Sequence, residues 1–219
     1  MTDHFHRALA LWDMNRHAEA VPFWRRHLAE EPDDSTAWCS LASCLRQLGR
    51  LDEAMDAAER ACSLTPDTAL PHNELAMVLL YRDQLPEAER SINEAIRLEP
   101  DDASFYSIAA TIQLHRENWP MVLELSNAGL RCDPEHTFSA NLRAQALLKL
   151  QNPAAAAATT LTTLSVDPLD AYSHTTRGWV LLQEGRTQEA LTFFREALRL
   201  NPNSGWALLG LERCEQARE

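Results

Sequence analysis

Arg143 and Arg177 lie 34 residues apart, in the segments Asn-Leu-Arg-Ala and Thr-Thr-Arg-Gly. A guanidinium holds five N–H donors in a fixed fork and binds a carboxylate through two parallel bonds. A recurring arginine could therefore receive ligand carboxylates, or it could lay its stem on the core and reach a nearby acid or helix end. Spacing alone leaves both open. The cysteines Cys39, Cys44, Cys62, Cys132 and Cys214 are odd in number and never spaced Cys-x-x-Cys, which argues against a disulfide framework or a zinc site. His4 and His6 are read as solvated rather than ligating. No Gly-x-Gly-x-x-Gly, phosphate loop or His-Glu-x-x-His occurs, so neither a catalytic residue nor a metal nor a cofactor is expected.

Composition narrows the partners. The formal charge is −12, and the acidity is concentrated in residues 1–110, which hold 10 Arg against 20 Asp and Glu. No basic stripe is available to neutralise phosphates, so nucleic acid is not an expected partner. Apolar residues make up 45% of the chain with only 6 Gly, a balance that favours helices over strands. The N-terminus lacks a secretion signal and no run of about 18 uncharged apolar residues occurs. A cytoplasmic protein without membrane insertion is expected, with its oligomeric state open.

The elements that position these residues follow from one period. Pro32, Pro66, Pro100, Pro134, Pro168 and Pro202 are each 34 residues apart, in settings such as Glu-Pro-Asp-Asp that stop one helix and cap the next. They define six repeats, 1–34, 35–68, 69–102, 103–136, 137–170 and 171–204, with residues 205–219 left over. A small residue recurs at place 8 of this frame (Ala8, Ala42, Ala76, Ala110, Ala144, Gly178), and another at place 20 (Ala20, Ala54, Ala88, Val122, Ala156, Ala190).

With Trp38, Leu41, Ala42, Leu45, Gly49, Ala54, Ala58, Ala61 and Pro66 in repeat 2, and Gly178, Leu181, Gly185, Ala190, Phe194, Ala197 and Pro202 in repeat 6, the chain resembles the tetratricopeptide-repeat (TPR) family over nearly its whole length. The resemblance implies an all-α fold: a single right-handed solenoid of six helix hairpins, each with helix A at about places 2–14 and helix B at about 18–30, closed by a capping helix over 205–219. Glu212 and Glu215 fall at the two places of that last helix that a further hairpin would cover. The Ala-Thr run 154–163 keeps the frame and predicts a lightly packed layer, with faster amide exchange in repeat 5 than in repeat 2.

Family geometry also implies that helix-A places 2, 5, 6, 9, 12 and 13 face a concave groove. The expected partner-binding residues are Leu70, Asn73, Met77 and Tyr81 in repeat 3, Ile108 and Thr111 in repeat 4, Phe138, Asn141 and Gln145 in repeat 5, and Tyr172, Thr175 and Trp179 in repeat 6. Rings would supply buried area and amides would bond a ligand backbone. Tyr81, Phe138, Tyr172 and Trp179 also read as inter-repeat filling. Cys39, at place 5, is the one thiol expected within reach of solvent. Two family subtypes do not fit. The carboxylate clamp would need Lys and Asn where Phe5 and Leu9, or Cys39 and Ser43, stand. An Asn ladder would need Asn along His6, Ser40, Glu74, Ile108, Leu142 and Thr176.

The implied function is a non-enzymatic scaffold binding a segment of another polypeptide. Self-assembly is one alternative. Another is a regulatory part of a larger membrane-anchored protein, because stretches such as Asn141–Lys149 are similar to bacterial repeat proteins that carry a C-terminal membrane region. That similarity favours a structural role for Arg143.

Overall fold

Helix boundaries follow from residues at fixed places in the 34-residue frame. Helix B ends two residues before each of the six prolines, and the next helix A opens three residues after it. Asp34, Asp102 and Asp170 cap those openings by accepting from the backbone N–H groups of Ala37, Ser104, and both Tyr172 and Ser173. Place 4 fastens the same corner: Trp38 Nε1 donates to Pro32 O (2.8 Å), and His72 and His174 do the same to Pro66 O (2.8 Å) and Pro168 O (2.9 Å). Between helices A and B one residue per repeat turns left-handed, at Asn15, Gly49, Asp83, Glu117, Gln151 and Gly185. Glycine takes that conformation freely, whereas Glu117 and Gln151 carry a cost of roughly 1–2 kcal/mol each.

The computed structural model describes residues 3–216. Among them it contains thirteen α-helices and no strand. The chain divides into two compact units, one up to Asp101 and one from Asp102 onward.

The first unit holds three antiparallel hairpins: α1 (Asp3–Asp13) with α2 (His17–Glu30), α3 (Ser35–Gln47) with α4 (Leu51–Leu64), and α5 (Ala69–Tyr81) with α6 (Leu85–Leu98). Its core centres on Trp24, which is wholly buried among Ala8, Ala20, Ala42 and Leu45 and meets Phe5 edge-on at 5.3 Å. The small residues at places 8 and 20 let the helices close on this ring.

The second unit continues with α7 (Ala103–His115) and α8 (Trp119–Cys132), α9 (Thr137–Lys149) and α10 (Pro153–Val166), and α11 (Ala171–Gln183) and α12 (Thr187–Leu200), and ends on α13 (Gly205–Gln216). Phe194 is its counterpart of Trp24, wholly buried with Leu181, Ala190, Leu191 and Ala207. Glu212 and Glu215 on α13 are exposed.

Helix α10 buries only Ala156, Thr159, Thr160 and Thr163, and those threonines donate back to their own helix at 2.9–3.0 Å. The comparison with repeat 2 loses its force, because α4 buries only alanines. The contrast that matters is with α12, which buries Leu191 and Phe194. Amides of α10 should exchange at least about tenfold faster than those of α12 in native-state hydrogen exchange, since opening α10 exposes far less apolar area. Equal protection of the two helices would refute this.

Candidate functional site

In the second unit, places 2 and 9 of successive A helices form an aromatic cluster. The Tyr172 and Trp206 rings lie 5.5 Å apart, and Trp179 stacks on Trp206 at 6.1 Å with an interplanar angle of 20°. Trp179 also meets Phe194 edge-on at 5.6 Å, which ties the cluster to the core. The Tyr172 hydroxyl donates to Gln145 Oε1 at 2.6 Å, linking α11 to α9, and burial together with nearby Asp170 pushes the phenol's pKa up. Phe138, at the same place as Tyr172 one repeat earlier, is 45% exposed. Ile108 and Thr111 of α7 are half-buried, and Thr111 Oγ1 donates to Ser107 O at 2.8 Å. Of the contact candidates that also read as filling, Trp179 packs against Phe194 and Trp206, whereas Phe138 is open.

In the first unit, Leu70 and Tyr81 are about half exposed, while Asn73 and Met77 are half-buried. Tyr81 lies over the Arg46 guanidinium, 5.1 Å from ring centroid to Cζ. Arg46 in turn donates through Nε to Glu74 Oε1 at 3.0 Å, both side chains being buried. Burial raises the Glu74 carboxyl above its usual range, with Arg46 pulling it partly back. The pair joins place 12 of one repeat to place 6 of the next.

Three placements are corrected. Asn141 and Thr175 are 3% and 1% exposed, so neither lies on an accessible face. Asn141 Nδ2 donates to Asp170 Oδ2 (2.6 Å), its Oδ1 lies 2.7 Å from Ser173 Oγ, and Thr175 Oγ1 donates to Ala171 O (2.8 Å). Cys39 is buried as well, and burial pushes its thiol up to about 12, the opposite of an activated thiol. The reason is shared: place 5 lies under the next A helix, which α3 with α5, α9 with α11, and α11 with α13 all supply. Among the described residues no group of His, Cys, Asp or Glu is arranged to hold a metal ion, and no helix is long and apolar enough to cross a membrane.

A family model described as the cytochrome c-type biogenesis protein H TPR domain matches residues 6–125, more than half of the chain. The chain belongs to the tetratricopeptide-repeat family. A second tetratricopeptide-repeat model matches residues 141–205. No curated protein matches the sequence. Among solved structures, the chain is similar to the Cut9–Hcn1 APC/C hetero-tetramer (TM-score 0.83, 20% identity over 94% of this chain and 41% of that one), so it spans well under half of that relative. It is similar over nearly full length to Pseudomonas aeruginosa pilF (TM-score 0.80, 17% identity, 99% and 96% covered). It also resembles YrrB, titled a TPR protein with an unusual peptide-binding site (TM-score 0.60, 16% identity, 86% and 97% covered). At these identities the likeness is one of fold.

In the tetratricopeptide-repeat frame, Arg143 and Arg177 replace the usual leucine at place 7. Arg177 is 9% exposed, and its Nε and Nη1, like Nε of Arg143, are buried without a partner. Neither side chain faces the aromatic cluster's partners, because place 7 turns toward the B helices; in α9 it faces α8 and α10. Sequence reasoning missed two things in this region. Trp206 was assigned only to the cap, although it occupies place 2 like Phe138 and Tyr172, which was the available signal. The Arg46–Glu74 pair carries no sequence signal beyond opposite charges 28 residues apart.

Proposed function

We propose that this tetratricopeptide-repeat protein is a non-enzymatic scaffold that binds a segment of another polypeptide on the helix-A face of its second unit. The aromatic cluster carries this reading. Tyr172, Trp179 and Trp206 are held by one another and by the Gln145 hydrogen bond, so little rotamer entropy remains to be lost on binding. Phe138 presents an open ring beside them, and Lys149 and Gln183 offer polar groups at the end of their A helices. Rigid aromatic anchors with adjacent amides suit a peptide, whose backbone needs donors and acceptors while its side chains need apolar cover. Peptide binding by YrrB, a relative in fold, supports the same class of ligand.

Trp179 is unsuited to a surface test because it packs on Phe194. The double variant Phe138→Ala with Gln145→Ala should keep the wild-type melting temperature within a few degrees and lower partner affinity by roughly tenfold to a hundredfold, as loss of an anchor ring does. Affinity capture followed by titration of the retained partner checks it. Unchanged affinity in a folded double variant would refute the assignment.

A further inference from the structure

Arg143 lines a cleft of about 160 Å³ between α8 and α10, together with Leu130, Pro134, Ala140, Ala158, Thr159 and Thr162. No carboxylate lines it. Nε of Arg143 is buried without a partner, and among the described residues no hydrogen bond, ion pair or ring contact engages the guanidinium. The charge is permanent, because arginine does not deprotonate in proteins.

The corresponding cleft in repeat 2 has the opposite polarity. It has Leu41 where repeat 5 has Arg143, and charged groups line it, with Glu53, Asp56 and Arg60 where repeat 5 has Ala155, Ala158 and Thr162, and Trp38 where repeat 5 has Ala140. Arg25 there is ion-paired with Glu53. In repeat 5 the cation stands where repeat 2 has Leu41, its neighbours have shrunk, and the places of the two lining acids, Glu53 and Asp56, are taken by Ala155 and Ala158. Repeat 6 keeps the arginine as Arg177, 9% exposed and with two nitrogens lacking a hydrogen-bond partner, but there Glu189 lies within electrostatic reach of it. Arg143 is half-buried, and its Nε is withdrawn from water without a partner, which is unfavourable for a polar group. A chain with 32 acidic residues against 20 basic ones has no shortage of acids to supply, yet among the described residues none lines this cleft.

We infer that the α8–α10 cleft is a carboxylate-binding site, filled by an Asp or Glu side chain or a chain terminus of a bound polypeptide. At about 160 Å³ it is smaller than the roughly 300–1,000 Å³ of typical small-molecule sites. The Thr159 and Thr162 hydroxyls donate to Ala155 O (2.9 Å) and Ala158 O (3.2 Å), which leaves their lone pairs to accept an amide N–H. The guanidinium is then the group left for the anion, and the pairing of cation with outward lone pairs suits a peptide carboxylate over an inorganic anion. The inference is independent of the aromatic face and its partner.

The test is a titration of the ¹⁵N-labelled full chain at constant ionic strength with acetate, with Ac-Ala-Ala-Glu-NH₂ as a side-chain carboxylate, with Ac-Ala-Ala-Ala as a terminal carboxylate, and with inorganic phosphate. Either peptide, and acetate more weakly, should shift the Arg143 Nε–Hε signal and the amides of Thr159 and Thr162, and the stronger peptide identifies the source. Arg143→Leu, which installs the residue repeat 2 carries there, should remain folded and lose the response. Ala158→Asp, which restores one of the two lining acids of repeat 2, should raise the melting temperature by a few degrees and also lose the response, because the cleft then holds its own carboxylate. Silence toward all three carboxylates would overturn the inference. So would a stronger response to phosphate, an unchanged response in Arg143→Leu, or an Ala158→Asp chain no more stable than wild type.

Discussion

Phe194→Ala should destabilise the chain by about 3–5 kcal/mol, enough to remove a large part of the roughly 5–15 kcal/mol that holds a typical domain folded. The ring is wholly buried and has been given its space by two glycines: a Cβ on Gly178 would stand 2.6 Å from it, and one on Gly210 2.3 Å. Both distances are far inside van der Waals contact, and in each case the obstacle is a ring held on several sides. Trp179 meets Phe194 edge-on, and Leu181, Leu191 and Ala207 share its cluster, so the hole left by alanine has rigid walls and collapses poorly. Gly210→Ala alone should cost about 1–3 kcal/mol through overpacking. Combined with Phe194→Ala, its added methyl enters the vacated space, so the double variant should be less destabilised than the two single costs together. Urea unfolding of the four proteins measures the coupling. Strict additivity would mean that Phe194 and Gly210 do not meet in the way described.

That ring illustrates how far the sequence could be read. The period and the hairpins were legible because the proline stops recur six times, small residues recur with them at places 8 and 20 apart from Val122, and Asp caps three of the corners, all of which act locally. Gly178 also announced a close approach by being smaller than the alanines in its row. The candidate surface was legible only in part, because its residues are sorted by what covers them. Asn141 and Thr175 look like solvent-facing polar groups, yet place 5 lies beneath the following A helix; at the end of the chain, Leu209, at the same place on α13, is 44% exposed. Polar type could not reveal this, since Asn141 is satisfied by Asp170, the residue that caps α11. The left-handed residue of each A–B turn was visible at Gly49 and Gly185 and hidden at Glu117 and Gln151, where cooperative packing of the hairpin overrides local preference. Arg143 and Arg177 stood out at once as anomalies, but only the lining of the cleft distinguishes a paired arginine from a partnerless one.

Glu74→Ala should be nearly as damaging as the loss of Phe194, at about 3–5 kcal/mol, because it strands the Arg46 guanidinium in a buried site. Arg46 is 6% exposed, and its remaining neighbours are Ser43 Oγ at 3.3 Å and the Tyr81 ring, neither of which carries a balancing charge. Replacing both members by leucine should cost much less than Glu74→Ala alone, since a buried ion pair contributes little beyond well-packed apolar groups while half of one is strongly unfavourable. The pH dependence separates desolvation from pairing. Burial holds the folded Glu74 carboxyl above the ordinary value of 4.5, so between that value and its raised one the folded chain binds more protons at this site than the unfolded chain. Stability of the wild type relative to Glu74→Gln should therefore fall as pH rises through this window, and should be flat below and above it. Urea unfolding of both proteins at half-unit steps from pH 4 upward measures the difference. A difference that grows with pH would mean that Arg46 outweighs desolvation and that the carboxylate, rather than the acid, is the form favoured by the fold.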